Sequence, residues 1–211
     1  MSIGSKIVTL SAAFAFMTSA VSAEDGYYAG LGLSIGHMLS KSDLPSGASA
    51  DDYSSGTLIG GYRKQADKGF WALEAQLEFP LNDELTSAGV PCSVGATTAY
   101  GCEVDGVLRL RGVYGHEIQN GLEAYATAGF VIISGDAASS ATTTDSTVAG
   151  GFSIGVGMQK AFTPTLKLRG ELNHDMATIG LSDISGPGIP ANCCDPSFVF
   201  TSLQISLVKS F

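Results

Sequence analysis

The chain has 211 residues, of which 27 are glycine and only 15% are charged, and its formal charge is −9. Mean hydropathy is nonetheless positive, at +0.23. An acidic chain with so few lysines and arginines excludes nucleic acid as a partner, because phosphates need clustered basic residues, and no stretch is long and apolar enough for a membrane-spanning helix.

Residues 1–23 place Lys6 before an apolar run from Ile7 to about Met17, with small residues at Val21, Ser22 and Ala23. This is the layout of a secretory signal peptide cut after Ala23. The expected organisation is therefore a signal peptide over 1–23 and one all-β domain over 24–211.

The segments that follow alternate with period two. In GYYAGLGLSIG, Tyr27, Ala29, Leu31, Leu33 and Ile35 share one face, while Tyr28, Gly30, Gly32, Ser34 and Gly36 share the other. A second strand is GTLIGGYRK, Gly56 to Lys64. In FWALEAQLEF, Trp71, Leu73, Ala75, Leu77 and Phe79 oppose Ala72, Glu74, Gln76 and Glu78. VLRLRGVY sets Leu108, Leu110 and Tyr114 against Arg109, Arg111 and Val113, and LEAYATAGFVI sets Leu122, Phe130 and Ile132 against Glu123, Tyr125 and Thr127. GFSIGVGMQK, LKLRGELN and the closing TSLQISLVKSF repeat the pattern. Alternation over segments of about ten residues, with no sustained helical period, is the signature of β-strands.

The connections alternate in length. Short links, Gln65–Gly69, His116–Gly121 and Thr163–Thr165, follow the even-numbered strands; long links over about 38–54, 80–105, 135–147 and 175–196 follow the odd ones. The long links hold every cysteine and the Ala/Ser/Thr-rich tract from Asp136 to Thr147. A soluble barrel would have to expose glycine and serine and crowd every Leu, Phe and Trp into a narrow interior. In lipid the apolar face turns outward, and Tyr27, Trp71, Tyr114 and Phe162 form an aromatic girdle at the turn end, with Phe79 and Phe152 near the other. The expected fold is all-β: an eight-stranded antiparallel up-and-down transmembrane barrel with short periplasmic turns and long extracellular loops.

With these features in place, the chain resembles the small outer-membrane β-barrel proteins, the OmpA-like transmembrane domain and the porin-like surface-antigen barrels. The resemblance rests on the signal peptide, the YYAGLGLSIG opening, the GGY of Gly60–Tyr62, the R-x-R…Y of Arg109, Arg111 and Tyr114, and the terminal Phe211. Leu110 between the arginines and Lys209 in the last strand depart from the family pattern. The resemblance implies location in the outer membrane of a Gram-negative bacterium, outer-membrane lipids as partners, and a surface or host ligand taken by the loops. It also implies that Phe211 is read by the barrel assembly machinery, and it implies no cofactor. The function it suggests is non-enzymatic: a barrel that anchors surface loops in an envelope-structural or adhesion role. The alternative is a small porin passing ions or small solutes, and a lipid A-modifying enzyme is a more distant third.

Inward-facing charges are the candidate site. Glu74, Glu78, Glu123 and Glu171 oppose Arg109, Arg111, Lys167 and Arg169, and the two sets balance. A charge inside so narrow a barrel is costly unless paired, so these residues, with Gln76, Gln159 and Gln204, are expected to plug the lumen. Glu123 is expected to approach Arg109 and Arg111 from the neighbouring strand. Four cysteines in an exported chain point to disulfides. Cys92 with Cys102 is the favoured pair, leaving Cys193 and Cys194 as a vicinal pair or with one of them bonded across to the second loop. Of the histidines, His37 and His174 are expected at the outer rim and His116 in a solvated turn. No G-x-S-x-G accompanies them, so no catalytic residue is assigned. Adjacent Cys193 and Cys194 lack zinc-ligand spacing, so no metal ligand is assigned. Gly30-Leu31-Gly32 and Gly155-Val156-Gly157 lie in strands with no following helix, which excludes a nucleotide loop.

Overall fold

The computed structural model describes residues 25–41, 48–66, 69–81, 86–87, 90–91, 100–140, 143–179 and 197–211. The segment expected as a signal peptide lies outside them, as do Cys92, Cys193 and Cys194.

Eight long strands build the molecule: β1 (Gly26–Lys41), β2 (Ala48–Ala66), β3 (Gly69–Pro80), β4 (Tyr100–Gln119), β5 (Leu122–Ser140), β6 (Thr143–Ala161), β7 (Leu166–Ile179) and β8 (Ser197–Ser210). A two-residue pair, Thr86–Ser87 with Val90–Pro91, adds to the edge of β2. Each long strand is antiparallel to the next in the chain, and β8 returns to pair with β1 from Tyr28–Ser210 to Lys41–Ser197. The sheet therefore closes and leaves no free edge. Among the described residues no helix occurs.

Alternation decides which side chains go where. Leu31, Leu33 and Ile35 of β1, Leu73 of β3, Phe130 of β5, Phe152 and Val156 of β6, and Leu203, Ile205 and Leu207 of β8 all face outward and are exposed. Between them the inward positions carry the buried polar residues, with a smaller apolar cluster of Ile59, Phe70, Ala72, Val113 and Val208 among them. The turn-end connections are tight. Asn120 and Gly121 both have positive φ, 50° and 74°, the conformation that a two-residue hairpin turn demands and that Asn-Gly supplies at low cost.

The strands differ from the sequence reading chiefly in length. Much of the long links assigned to 38–54, 80–105, 135–147 and 175–196 is strand: β1 runs on to Lys41, β2 starts at Ala48, and the Ala/Ser/Thr-rich tract is the hairpin of β5 and β6. The cause is a change of pattern. At the loop end the inward positions become apolar (Met38, Tyr53, Val104, Val107, Val131, Ile133, Phe198 and Phe200 form one buried cluster) while Asp52, Asp105 and Ser146 face out. A search for apolar residues on the lipid-facing parity stops where that parity turns polar, although the period of two continues.

Candidate functional site

The lumen is filled in three ionic tiers. The tier nearest the loop end is built on Arg109, which is fully buried. Its Nε donates to Asp175 Oδ2 at 2.9 Å, its Nη2 donates to the same oxygen at 2.5 Å, and its Nη1 donates to Glu78 Oε2. Ser55 Oγ donates to the other Glu78 oxygen at 2.5 Å. Above this tier, toward the loops, sits the apolar cluster of β1, β2, β4, β5, β6, β7 and β8 that holds Met38 and Phe200.

The middle tier joins two arginines and two glutamates. Arg111 Nη1 donates to Glu171 Oε1 at 2.5 Å and to Asn173 Oδ1 at 2.6 Å, and its Nη2 donates to Glu74 Oε1 at 2.5 Å and Gln76 Oε1 at 2.6 Å. Arg169 donates to Glu74 through Nη1 and to Glu171 Oε2 through Nη2, the latter at 2.6 Å. Two tyrosines complete it: Tyr28 donates to Glu74 Oε2 at 2.9 Å and Tyr125 to Glu171 Oε2 at 2.8 Å, with Arg169 stacked 4.4 Å from the Tyr125 ring centre. Gln76 Nε2 donates to Gln204 Oε1 at 2.6 Å, which ties β3 to β8 across the lumen.

The tier at the turn end centres on Glu123. It accepts from Arg63 Nη2 at 2.6 Å, Lys167 Nζ at 2.8 Å and Gln159 Nε2 at 2.7 Å. Arg63 also lies 3.7 Å from the centre of the Phe70 ring. Here the structure departs from the sequence reading, which sent Glu123 toward Arg109 and Arg111. The strand register sets Glu123 opposite Gln159 and far down β5 from Gly129, the partner of Arg111.

Two charged members of these tiers were missed by the sequence reading, Arg63 and Asp175. Both carried a parity signal: Arg63 follows Thr57, Ile59 and Gly61 on the inward face of β2, and Asp175 follows Glu171 and Asn173 on that of β7. One is positive and one negative, so the lumen stays balanced. Asp175 also settles the neighbouring histidine. It is buried with Arg109, whereas His174 lies on the opposite face of β7 and shares a 2.9 Å hydrogen bond with Thr201 Oγ1. His37 likewise faces outward, 2.9 Å from Asp52 Oδ1. Cys102 belongs to β4, and its proposed partner Cys92 lies outside the described residues.

Glycines make room for the middle tier. A side chain on Gly61 would meet the Tyr28 ring at 2.5 Å and Leu73 O at 2.7 Å. At the turn end a lumen space lined by Arg63, Phe70, Gln159, Lys167 and Arg169 measures about 20 Å³, room for about one water molecule.

An apolar outer wall around a lumen packed with paired charges defines the class as a transmembrane β-barrel. The chain belongs to the outer membrane protein beta-barrel domain family, whose model matches residues 7–204. Among solved structures it is similar to Neisserial surface protein A, with 13% identity over 88% of this chain and 97% of that one and a TM-score of 0.53. Weaker likenesses are to Ail, the attachment invasion locus protein of Yersinia pestis (11% identity, 87% and 99% covered, TM-score 0.46), and to the N-terminal beta-barrel domain of Pseudomonas aeruginosa OprF (13% identity, 84% and 96% covered, TM-score 0.40). At such identities the likeness to Neisserial surface protein A speaks for the fold alone. No curated protein sequence matches the chain.

Proposed function

We propose that this barrel is a non-enzymatic outer-membrane anchor that presents its long loops at the cell surface, in an envelope-structural or adhesion-type role. The observation that supports it is the closure of the lumen. Three ionic tiers lie in series beneath an apolar cap, and every charged member of the tiers has a partner of opposite sign. Paired charges in a packed interior hold a wall together; they offer no path for a hydrated ion, which needs a water-filled bore. In this reading residues 1–23 are removed on export, Phe211 directs assembly, and the cysteines brace the loops.

Planar-bilayer recording of the refolded barrel tests the reading. The expected result is an absence of stable unitary current, and a steady open level would favour the small porin instead. Mass analysis of lipid A from cells that overproduce the chain, unchanged in this reading, checks the enzymatic alternative. Cells carrying a barrel shortened within 82–99 and 180–196 should keep the assembled protein and lose any surface binding that the full chain confers.

A further inference from the structure

Among the described residues of the outer wall, four polar side chains stand in one line. Asp52 of β2, His37 of β1, Thr201 of β8 and His174 of β7 occupy consecutive places in a single register row, Asp52 opposite His37, His37 opposite Thr201, and Thr201 opposite His174. The side chains link in two pairs, His37 Nδ1 with Asp52 Oδ1 and His174 Nδ1 with Thr201 Oγ1, each at 2.9 Å. The row continues to Ile154 on β6, and the outward residues beyond it, Phe130, Ile132, Phe152 and Val156, are apolar. Polar side chains on a lipid-facing wall are costly and rarely without purpose.

Below this line the wall is grooved. An open groove of about 620 Å³ runs down the seam between β1 and β8, lined by Leu31, Leu33, Ile35, Leu203, Ile205 and Leu207. It continues upward past Ile35 and Leu203 into a second groove of about 700 Å³ that ends at His37, Asp52 and Thr201. The two together are apolar along their length and polar at the end nearer the loops. That is the polarity of an outer-leaflet lipid standing against the wall, with its chains toward the membrane centre.

We propose that this seam is a seat for a glycolipid of the outer leaflet. Its acyl chain lies in the apolar groove and its sugar hydroxyls meet the polar line. Charge chooses the head group. Asp52 is a carboxylate with an exposed side chain, on a chain of net charge −9, and it repels a phosphate. A carboxylate oxygen and imidazole nitrogens accept hydrogen bonds from hydroxyl groups, which an uncharged sugar supplies in number. Both imidazoles use Nδ1 within the wall; His37 lines the upper groove, and His174 stands beside it on Thr201.

Native mass spectrometry of the barrel released from vesicles tests the seat. The vesicles are phosphatidylethanolamine and phosphatidylglycerol doped with a monoglucosyl diacylglycerol. The wild-type chain should retain one glucolipid, enriched at least tenfold over its share of the vesicle. His37→Leu/His174→Leu should lose that enrichment while still showing the gel shift of a folded barrel. Leu203→Trp, which fills the groove and leaves the polar line intact, should lose it too and guards against misfolding of the double variant. Retention of phosphatidylglycerol in preference to the glucolipid, no enrichment in the wild type, or equal enrichment in all three chains would overturn the proposal.

Discussion

Arg109 shows how much one lumen side chain carries. Its guanidinium is fully buried and divides its N–H groups between Glu78 and Asp175. Removing it leaves two carboxylates facing each other below an apolar cap, so Arg109→Met should destabilise the barrel by about 3–5 kcal/mol, the usual result of orphaning a buried charge. Adding Glu78→Gln and Asp175→Asn should recover most of that, since a neutral, hydrogen-bonded set replaces the unpaired charges. Lys167→Met should cost less, because Glu123 keeps Arg63 and Gln159 as partners. Urea unfolding of the refolded proteins in phospholipid vesicles measures all three, and equal losses for Arg109→Met and Lys167→Met would contradict the tiered picture. The charge balance of the lumen was legible in the sequence because side chains alternate with period two. Partner choice was not. Glu123 and Arg109 lie in adjacent strands, yet they belong to different tiers, because partners are set by register and strand tilt, which no single strand encodes.

At the scale of the element, Gly60 and Gly61 give the cleanest contrast, since neighbours on one strand face opposite sides of the sheet. A Cβ on Gly60 would have nothing within 4 Å, whereas one on Gly61 would strike the Tyr28 phenol that donates to Glu74. Gly61→Ala should therefore cost about 1–3 kcal/mol through overpacking, and Gly60→Ala should leave the urea midpoint almost unmoved. The closing strand makes a second contrast. The Phe211 N–H donates to Tyr27 O at 2.9 Å, beside the turn-end aromatics Tyr27 and Tyr62, which pack edge to face 5.1 Å apart. Lys209 sits at the same end with its ammonium 5.5 Å from the Phe211 ring centre, where a lysine can reach head groups. Phe211→Ala should lower the yield of assembled barrel in cells severalfold and Lys209→Leu should not; equal yields by heat-modifiable gel shift would remove Phe211 from the assembly step. Strand type and neighbour order followed from alternation and link length. Strand ends did not, because toward the loop end the inward positions become apolar, as at Val131 and Ile133, while outward ones such as Asp52 and Asp105 turn polar.

For the molecule as a whole, the tiers and the cap act as seals in series, and seals in series fail only together. The cap blocks the loop end with side chains such as Phe200 and Met38, and the middle tier blocks the centre with Arg111 and Arg169. Phe200→Ala opens a cavity in the cap but leaves the ionic plug beneath it. Arg111→Ala loosens the plug but leaves the cap above it, and Arg169 still bridges Glu74 and Glu171. Each single variant should therefore remain silent in a planar bilayer, although Phe200→Ala should lose about 3–5 kcal/mol of stability to the cavity. The pair should stay silent as well, because the Arg109 and Glu123 tiers still cross the lumen, provided that the gel shift shows a folded barrel. A single variant that conducts would mean that one layer alone closes the lumen. The other would then serve only to pack the wall.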